Sequence, residues 1–268
     1  MQTIESPQNE RVKLARSLHE SKGRRETGLF LAEGPAAVAE ALLYAPGIQW
    51  VAWCEELGDE EEADLAASAQ EAGIAVLAMA ERAFRALSDT RSPQGIAAVL
   101  RQNLWSLDAL RPPDGAATYL VVHELRDPGN LGSMIRSADA FGANGVLLSG
   151  SCVDPYDPKV VRATAGSLFH IPVAEADWEQ VVGWAETHRI KLLAADLEAQ
   201  HELGNAALAR RIGFVIGNEA HGLPQEVLQG VAFTIRIPMY GAAESLNAAG
   251  AAAVLLYEAA RSHRSAPS

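Results

Sequence analysis

The sequence predicts an α/β protein: a parallel sheet covered by helices on both faces, preceded by a smaller α/β unit with its own sheet. Three observations carry this. Strand-like runs such as YLVV (119–122), GVLL (145–148), KLLAA (191–195) and FVIG (214–217) alternate with helix-like segments. Those runs are continuously apolar, as strands buried on both faces are. Between the halves, NLWSLDALRPPDGAA (103–117) gathers Pro112, Pro113, Asp114 and Gly115, a linker composition. The expected division is therefore residues 1–103, a linker at 104–117, and a second domain at 118–268.

In the first unit, RVKLARSLH (11–19) has helical period and LFLAEG (29–34) reads as a strand ending at Gly34. PAAVAEALLY (35–44) reads as a helix with Pro35 in its first turn. IQWVAWC (48–54) is rich in strand formers. ADLAASAQEAG (63–73) is a helix ended by Gly73, and IAVLAM (74–79) and GIAAVLR (95–101) are strands. In the second unit, strands are expected near 118–123, 145–149, 171–174, 190–196, 212–217 and 233–237. Helices fit at 131–141, 158–168, 177–188 and 247–261, with shorter helical pieces near 205–210 and 224–229.

Composition narrows the function. The chain has 268 residues, 49% hydrophobic and 21% charged, which suits a water-soluble globular protein. No apolar run approaches the roughly 20 residues that span a bilayer, and the N-terminus has no apolar segment resembling a secretory signal. Cys54 and Cys152 form no CxxC and no disulfide framework, so a reducing cytoplasm fits. The histidines have no metal-ligand spacing, and no metal is expected. The net charge of −12 argues against broad electrostatic attraction to nucleic acid, but leaves room for a local basic patch. Arg11, Lys13, Arg16, Lys22, Arg24 and Arg25 are the candidates for nucleic-acid contact, against a solvated helix face as the plainer alternative. Lys159 and Arg162 offer a second, equally open choice.

Parallel sheets bind ligands at loops outside the carboxyl ends of their strands, and three such loops stand out. In HELRDPGNLGSMIRSADAFG (123–142), Leu131, Met134, Ile135, Ala138 and Phe141 share one helix face, with Arg136 nearly opposite. Asn130 sits where an N-cap belongs and Gly142 where a C′ residue belongs. Asp127, before Pro128, reads as a turn former. In GFVIGNEAHGLPQEV (213–227), Gly217 ends a strand and Glu219 follows in a loop bounded by Gly222 and Pro224. Leu223 and Pro224 stand where a P-loop needs Lys-Ser/Thr, and no G-x-G-x-x-G is present, which counts against a nucleotide-cofactor oxidoreductase. In RIPMYGAAESLNAAGAAAVLLYEAAR (236–261), Ser245 or Asn247 can cap a helix whose early face is Ala248, Ala249, Gly250, Ala251, Ala252 and Ala253. Residues that small allow close approach of another backbone.

Taken in order, DPGNLGSMIRSADAFG (127–142), FVIGNEAHGL (214–223) and IPMYGAAESLNAAGAAAVLLYE (237–258) resemble the SpoU (TrmH) family of RNA 2′-O-ribose methyltransferases in the SPOUT superfamily. The resemblance covers nearly all of the second unit. It implies a SPOUT parallel sheet with a trefoil knot near the C-terminus, S-adenosylmethionine as cofactor, and a homodimer with active sites at the subunit interface. It also implies that the first unit is a small substrate-binding domain resembling a ribosomal protein. By position, Gly217, Ile237 and Leu246 match the family's cofactor-binding residues, with Ile216, Met239 and Asn247 lining the same pocket. Asn130, Arg136, Glu219, Ser245 and Asn247 match its polar active-site set. The implied reaction is methyl transfer to a ribose 2′-hydroxyl, with rRNA favoured because many tRNA enzymes of the family lack the first domain. A tRNA 2′-O-methyltransferase and a non-catalytic ribosome-assembly factor are the alternatives.

Overall fold

A computed structural model describes residues 3–205, 208–219 and 221–265. Contacts divide the chain into two compact units: Met1–Asn103 with Asp154–His170, and Leu104–Val153 with Ile171–Ser268.

The first unit opens with α1 (Glu10–Ser17) and α2 (Ser21–Thr27), followed by β1 (Leu29–Glu33), α3 (Pro35–Tyr44), β2 (Ile48–Trp53), α4 (Glu60–Glu71), β3 (Val76–Ala78), α5 (Glu81–Leu87) and β4 (Ile96–Arg101). Its sheet has the order β1-β4-β2-β3, with β4 antiparallel to both neighbours. Alternate residues of these strands feed two cores. Phe30, Val51, Ile96 and Ala98 face one, and Leu31, Trp50, Ala52 and Val99 face the other. The stretch ELGDEEEAD (56–64) is acidic for a local reason. Asp59 forms a capping box with Glu62, and Glu60, Glu61 and Glu62 occupy the first turn of α4, where carboxylates meet the positive end of the helix dipole. Helices α2 and α5 fall where the sequence suggested no element. They are only seven residues each, too short for a clear period.

The second unit begins with β5 (Ala117–His123), α6 (Pro128–Ala140) and β6 (Gly145–Ser149). The chain then enters α7 (Pro158–Thr164), whose contacts belong to the first unit. Tyr156 and Val161 join the core of Phe30, Val38 and Ile96, and Arg24 Nε donates to Asp154 Oδ2 at 2.7 Å. Chain order alone groups this segment with 118–268, because an amphipathic pattern says that a face is buried but not in which core. Next come β7 (Val173–Ala176), α8 (Trp178–Thr187), β8 (Lys191–Ala195), β9 (His201–Glu202), β10 (Arg211–Ile216), α9 (Gln225–Gln229), β11 (Phe233–Arg236) and α10 (Ala248–Ser265).

All seven strands of this sheet are parallel, in the order β7-β6-β5-β10-β8-β11-β9. Tyr119, Val121 and Val215 pack against Trp178, Val181 and Trp184 of α8. On the other face α10 packs on α6, β5 and β10. Both faces are covered, which explains the uninterrupted apolar runs. The two-residue β9 gave no sequence signal. Of the helical piece expected at 205–210, Ala206 and Ala207 lie outside the described residues and the remaining positions form a turn, a bend and irregular backbone. The Pro-rich segment 104–117 is fastened rather than slack: Trp184 Nε1 donates to the Leu110 carbonyl at 3.0 Å, and Arg211 Nη2 to that of Pro113 at 2.8 Å.

Candidate active site

Neighbouring strands β10, β8 and β11 end side by side, and the loops that leave their carboxyl ends enclose a cavity of about 650 Å³. Ile216, Gly217, Ile237, Met239, Leu246 and Asn247 all line it, although the first and last lie 31 positions apart in sequence. Ser245 and Glu219 line it too. The loop after β8, with Asp196, Leu197 and Glu198, completes the wall. Sequence reading missed these three. Their signal was positional only, as residues following a strand's carboxyl end.

Gly217 fixes the shape of the β10 loop. The loop folds back so that Asn218 and Gly222 form an antiparallel bridge. A Cβ on Gly217 would stand 2.5 Å from the Gly222 carbonyl oxygen, where no side chain fits. Across the cavity, Asn247 caps α10: its Oδ1 accepts from the Gly250 backbone N–H at 2.7 Å. The cap leaves the Asn247 amide N–H groups as donors.

The opening helix differs from the sequence reading at its cap. Asp127 is the N-cap of α6, accepting from the Asn130 backbone N–H at 2.7 Å, with Pro128 at the first helical position. Asn130 therefore lies inside the first turn, and its side chain is used elsewhere. Its Nδ2 donates to Glu219 Oε1 at 2.6 Å, joining α6 to the β10 loop. Gly142 takes the left-handed conformation expected of a C′ residue, at φ +68°. Leu131, Met134, Ile135 and Ala138 are buried, and Arg136 is exposed on the outer face. Arg136 does not line the cavity of its own chain.

The basic candidates separate into two groups. Arg11, Lys13, Arg16, Lys22, Arg25 and Lys159 are exposed. Arg24 is 1% exposed and bonds Asp154, the Leu18 and His19 carbonyls and, at 3.6 Å, Asp157. It is a structural clamp and is removed from the set able to touch RNA. Its place in a cationic run hid this, because charge runs normally face solvent. Arg162 pairs with Asp89 at 2.6 Å. Burial pushes the Cys152 thiol above its ordinary pKa and Cys54 up to about 11, so both stay protonated near neutrality and neither is an activated nucleophile. Among the described residues, no group of three or more His, Cys, Asp or Glu could hold a metal ion, and no helix is long and apolar enough to cross a membrane.

Residues 117–257 match the SpoU rRNA methylase family, and residues 9–98 match an MRM3-like substrate-binding domain. The 23S rRNA (guanosine(2553)-2′-O)-methyltransferase RlmP of Bacillus subtilis (strain 168) is 35% identical over 257 residues, spanning 96% of this chain and 98% of that protein. The AdoMet-bound rRNA methyltransferase of Sinorhizobium meliloti superposes with a TM-score of 0.87 at 33% identity, covering 97% of each chain. The SpoU methyltransferase AviRb of Streptomyces viridochromogenes, in complex with AdoMet, also gives a TM-score of 0.87, at 29% identity over 97% of this chain and 100% of that one. On these matches the chain belongs to the SpoU rRNA methylase family.

Proposed function

We propose that the protein transfers the methyl group of S-adenosylmethionine to a ribose 2′-hydroxyl of RNA, with large-subunit rRNA as the substrate. The observation that carries this reading is the convergence of the β8, β10 and β11 loops on one cavity, which gathers all six expected cofactor residues. Its volume of about 650 Å³ lies within the usual range of small-molecule sites. Its apolar lining of Ile216, Leu223, Ile237, Met239 and Leu246 suits an adenine ring, with loop backbone groups at hand for its polar edge. The similarity to RlmP along the whole chain, and to two AdoMet-bound structures, supports the same cofactor and RNA class. The N-terminal match to a substrate-binding domain favours rRNA over tRNA.

S-adenosylmethionine supplies a methyl group already activated by a positive sulfur. What remains for the protein is to align the ribose and manage one proton, and alignment alone is worth roughly 7–11 kcal/mol in well-ordered cases. Arg136 holds the target phosphate bidentately and stabilises negative charge on the 2′-oxygen while the oxygen–methyl bond forms, the sulfur–methyl bond breaks to leave S-adenosylhomocysteine, and the hydroxyl proton passes to solvent water. A guanidinium offers donors and no acceptor, so its contribution is electrostatic. The Asn130–Glu219 bond braces α6 against the cofactor loop, and Ser245 and Asn247 hold the loop that closes the cavity.

Arg136 lies outside the cavity of its own chain, so a second copy delivers it, in a homodimer. Leu246 and Tyr240, both exposed, and Val254 and Tyr257 of α10 give that dimer an apolar face. A trefoil knot near the C-terminus belongs to the same reading; the return of the chain from β11, beyond β8, to α10, which packs on β5 and β10, supports it. The reaction is placed in the cytoplasm, where rRNA is available. Incubation with methyl-labelled S-adenosylmethionine and rRNA from cells lacking the gene tests the reading. Label in ribose 2′-O-methyl nucleosides is expected; label confined to bases, or none, would overturn it.

A further inference from the structure

A second cleft adjoins the cofactor cavity. It is lined by Glu124 and Arg126 after β5 and by Asn218, His221, Gly222 and Pro224 after β10. Asn218, His221 and Gly222 line both spaces, so one loop is the wall between them. Glu124 is held unusually for a side-chain-bearing residue, at φ +54°. Its backbone is pinned from two sides: its N–H donates to the Ser149 carbonyl at 3.0 Å, and its carbonyl accepts from Asn218 Nδ2 at 3.0 Å. Its side chain passes over Gly150, where a Cβ would lie 2.8 Å from Glu124 Cγ. The strained backbone and the missing methyl beneath it both serve to present this carboxylate. Among the described residues, neither the Glu124 carboxylate nor the Arg126 guanidinium has a hydrogen bond or ion pair, and both are exposed.

We propose that this cleft receives the methyl-acceptor nucleotide, with Arg126 on a flanking phosphate and Glu124 reading the base, and that the base is guanine. The proposal rests on the methyltransferase reading above. The acceptor must sit beside the methyl donor, and the shared wall puts this cleft there. An ionised carboxylate only accepts hydrogen bonds. Guanine alone presents two adjacent donors, N1–H and the N2 amine, on one edge. Uracil flanks its single N–H with carbonyl oxygens, and adenine and cytosine set their amine beside an acceptor nitrogen, so each would also face the carboxylate with repulsion. Arginine's planar fork matches a phosphate.

The test uses the full chain, labelled S-adenosylmethionine and rRNA from cells lacking the gene, followed by nucleoside analysis. The expected product is 2′-O-methylguanosine. Glu124→Gln and Arg126→Ala are each expected to lower kcat/KM for the RNA by about tenfold or more, with affinity for S-adenosylmethionine within about twofold of wild type, which also reports an intact fold. Another 2′-O-methyl nucleoside as sole product would overturn the guanine assignment while the methyltransferase reading stands. Unchanged kcat/KM in both variants would remove the cleft from RNA binding. Absence of any ribose methylation would overturn the methyltransferase reading and this proposal with it.

Discussion

Gly217 shows how one residue governs the cavity. With Gly222 backbone 2.5 Å from where its Cβ would stand, even an alanine must push the β10 loop away. Gly217→Ala should weaken S-adenosylmethionine binding at least about tenfold, the equivalent of 1.4 kcal/mol; calorimetric titration checks it, and wild-type affinity would contradict the loop geometry. Cys54 provides a pH test. It is fully buried, and desolvation, then its hydrogen bond to Glu56, lifts its pKa from the ordinary 9.0 to about 11. A folded-state pKa raised above the unfolded value means that the stabilisation is complete below pH 9 and is lost as pH rises towards 11. Thermal midpoints across that window should fall more steeply for wild type than for Cys54→Ala. Parallel curves would show that the thiol titrates normally.

Arg24 belongs to the scale of elements, because it ties α2 to the segment that carries α7. Breaking a buried ion pair from one side costs about 3 kcal/mol, so Arg24→Leu should show a clear drop in urea stability, read through Trp50 and Trp53 of the same unit; a change under about 1 kcal/mol would contradict the clamp. Elements with strong periods were legible in the sequence. PAAVAEALLY is α3 from end to end, and the apolar runs are the central strands of the second sheet. What escaped was short or depended on distant partners. The two residues of β9 cannot show a period, and nothing local distinguishes Arg24 from Arg25, one buried and one exposed. The cap of α6 moved from Asn130 to Asp127 because both residue types cap well and only the backbone decides between them. Of the cavity, residues in the β10 and β11 loops could be found through their resemblance to a known pattern. Asp196 and Glu198 carried none.

At the scale of the whole molecule, the proposed homodimer rests on a cavity in one chain and an arginine outside it. Tyr257 is 55% exposed on α10, although its ring stands edge-on to Phe141 with the ring centroids 5.8 Å apart. Sedimentation should give a dimer for wild type and a shift toward monomer for Tyr257→Glu, with methyl transfer falling in proportion; a monomeric wild type that is fully active would contradict the shared site. The most direct test of the account maps ribose 2′-O-methyl groups on rRNA from cells with the gene, without it, and with Arg136→Ala in its place. A methylated ribose is expected only with the wild-type gene and missing from both other strains, while purified Arg136→Ala still binds S-adenosylmethionine. Identical maps in all three strains, or full methylation by Arg136→Ala, would contradict it.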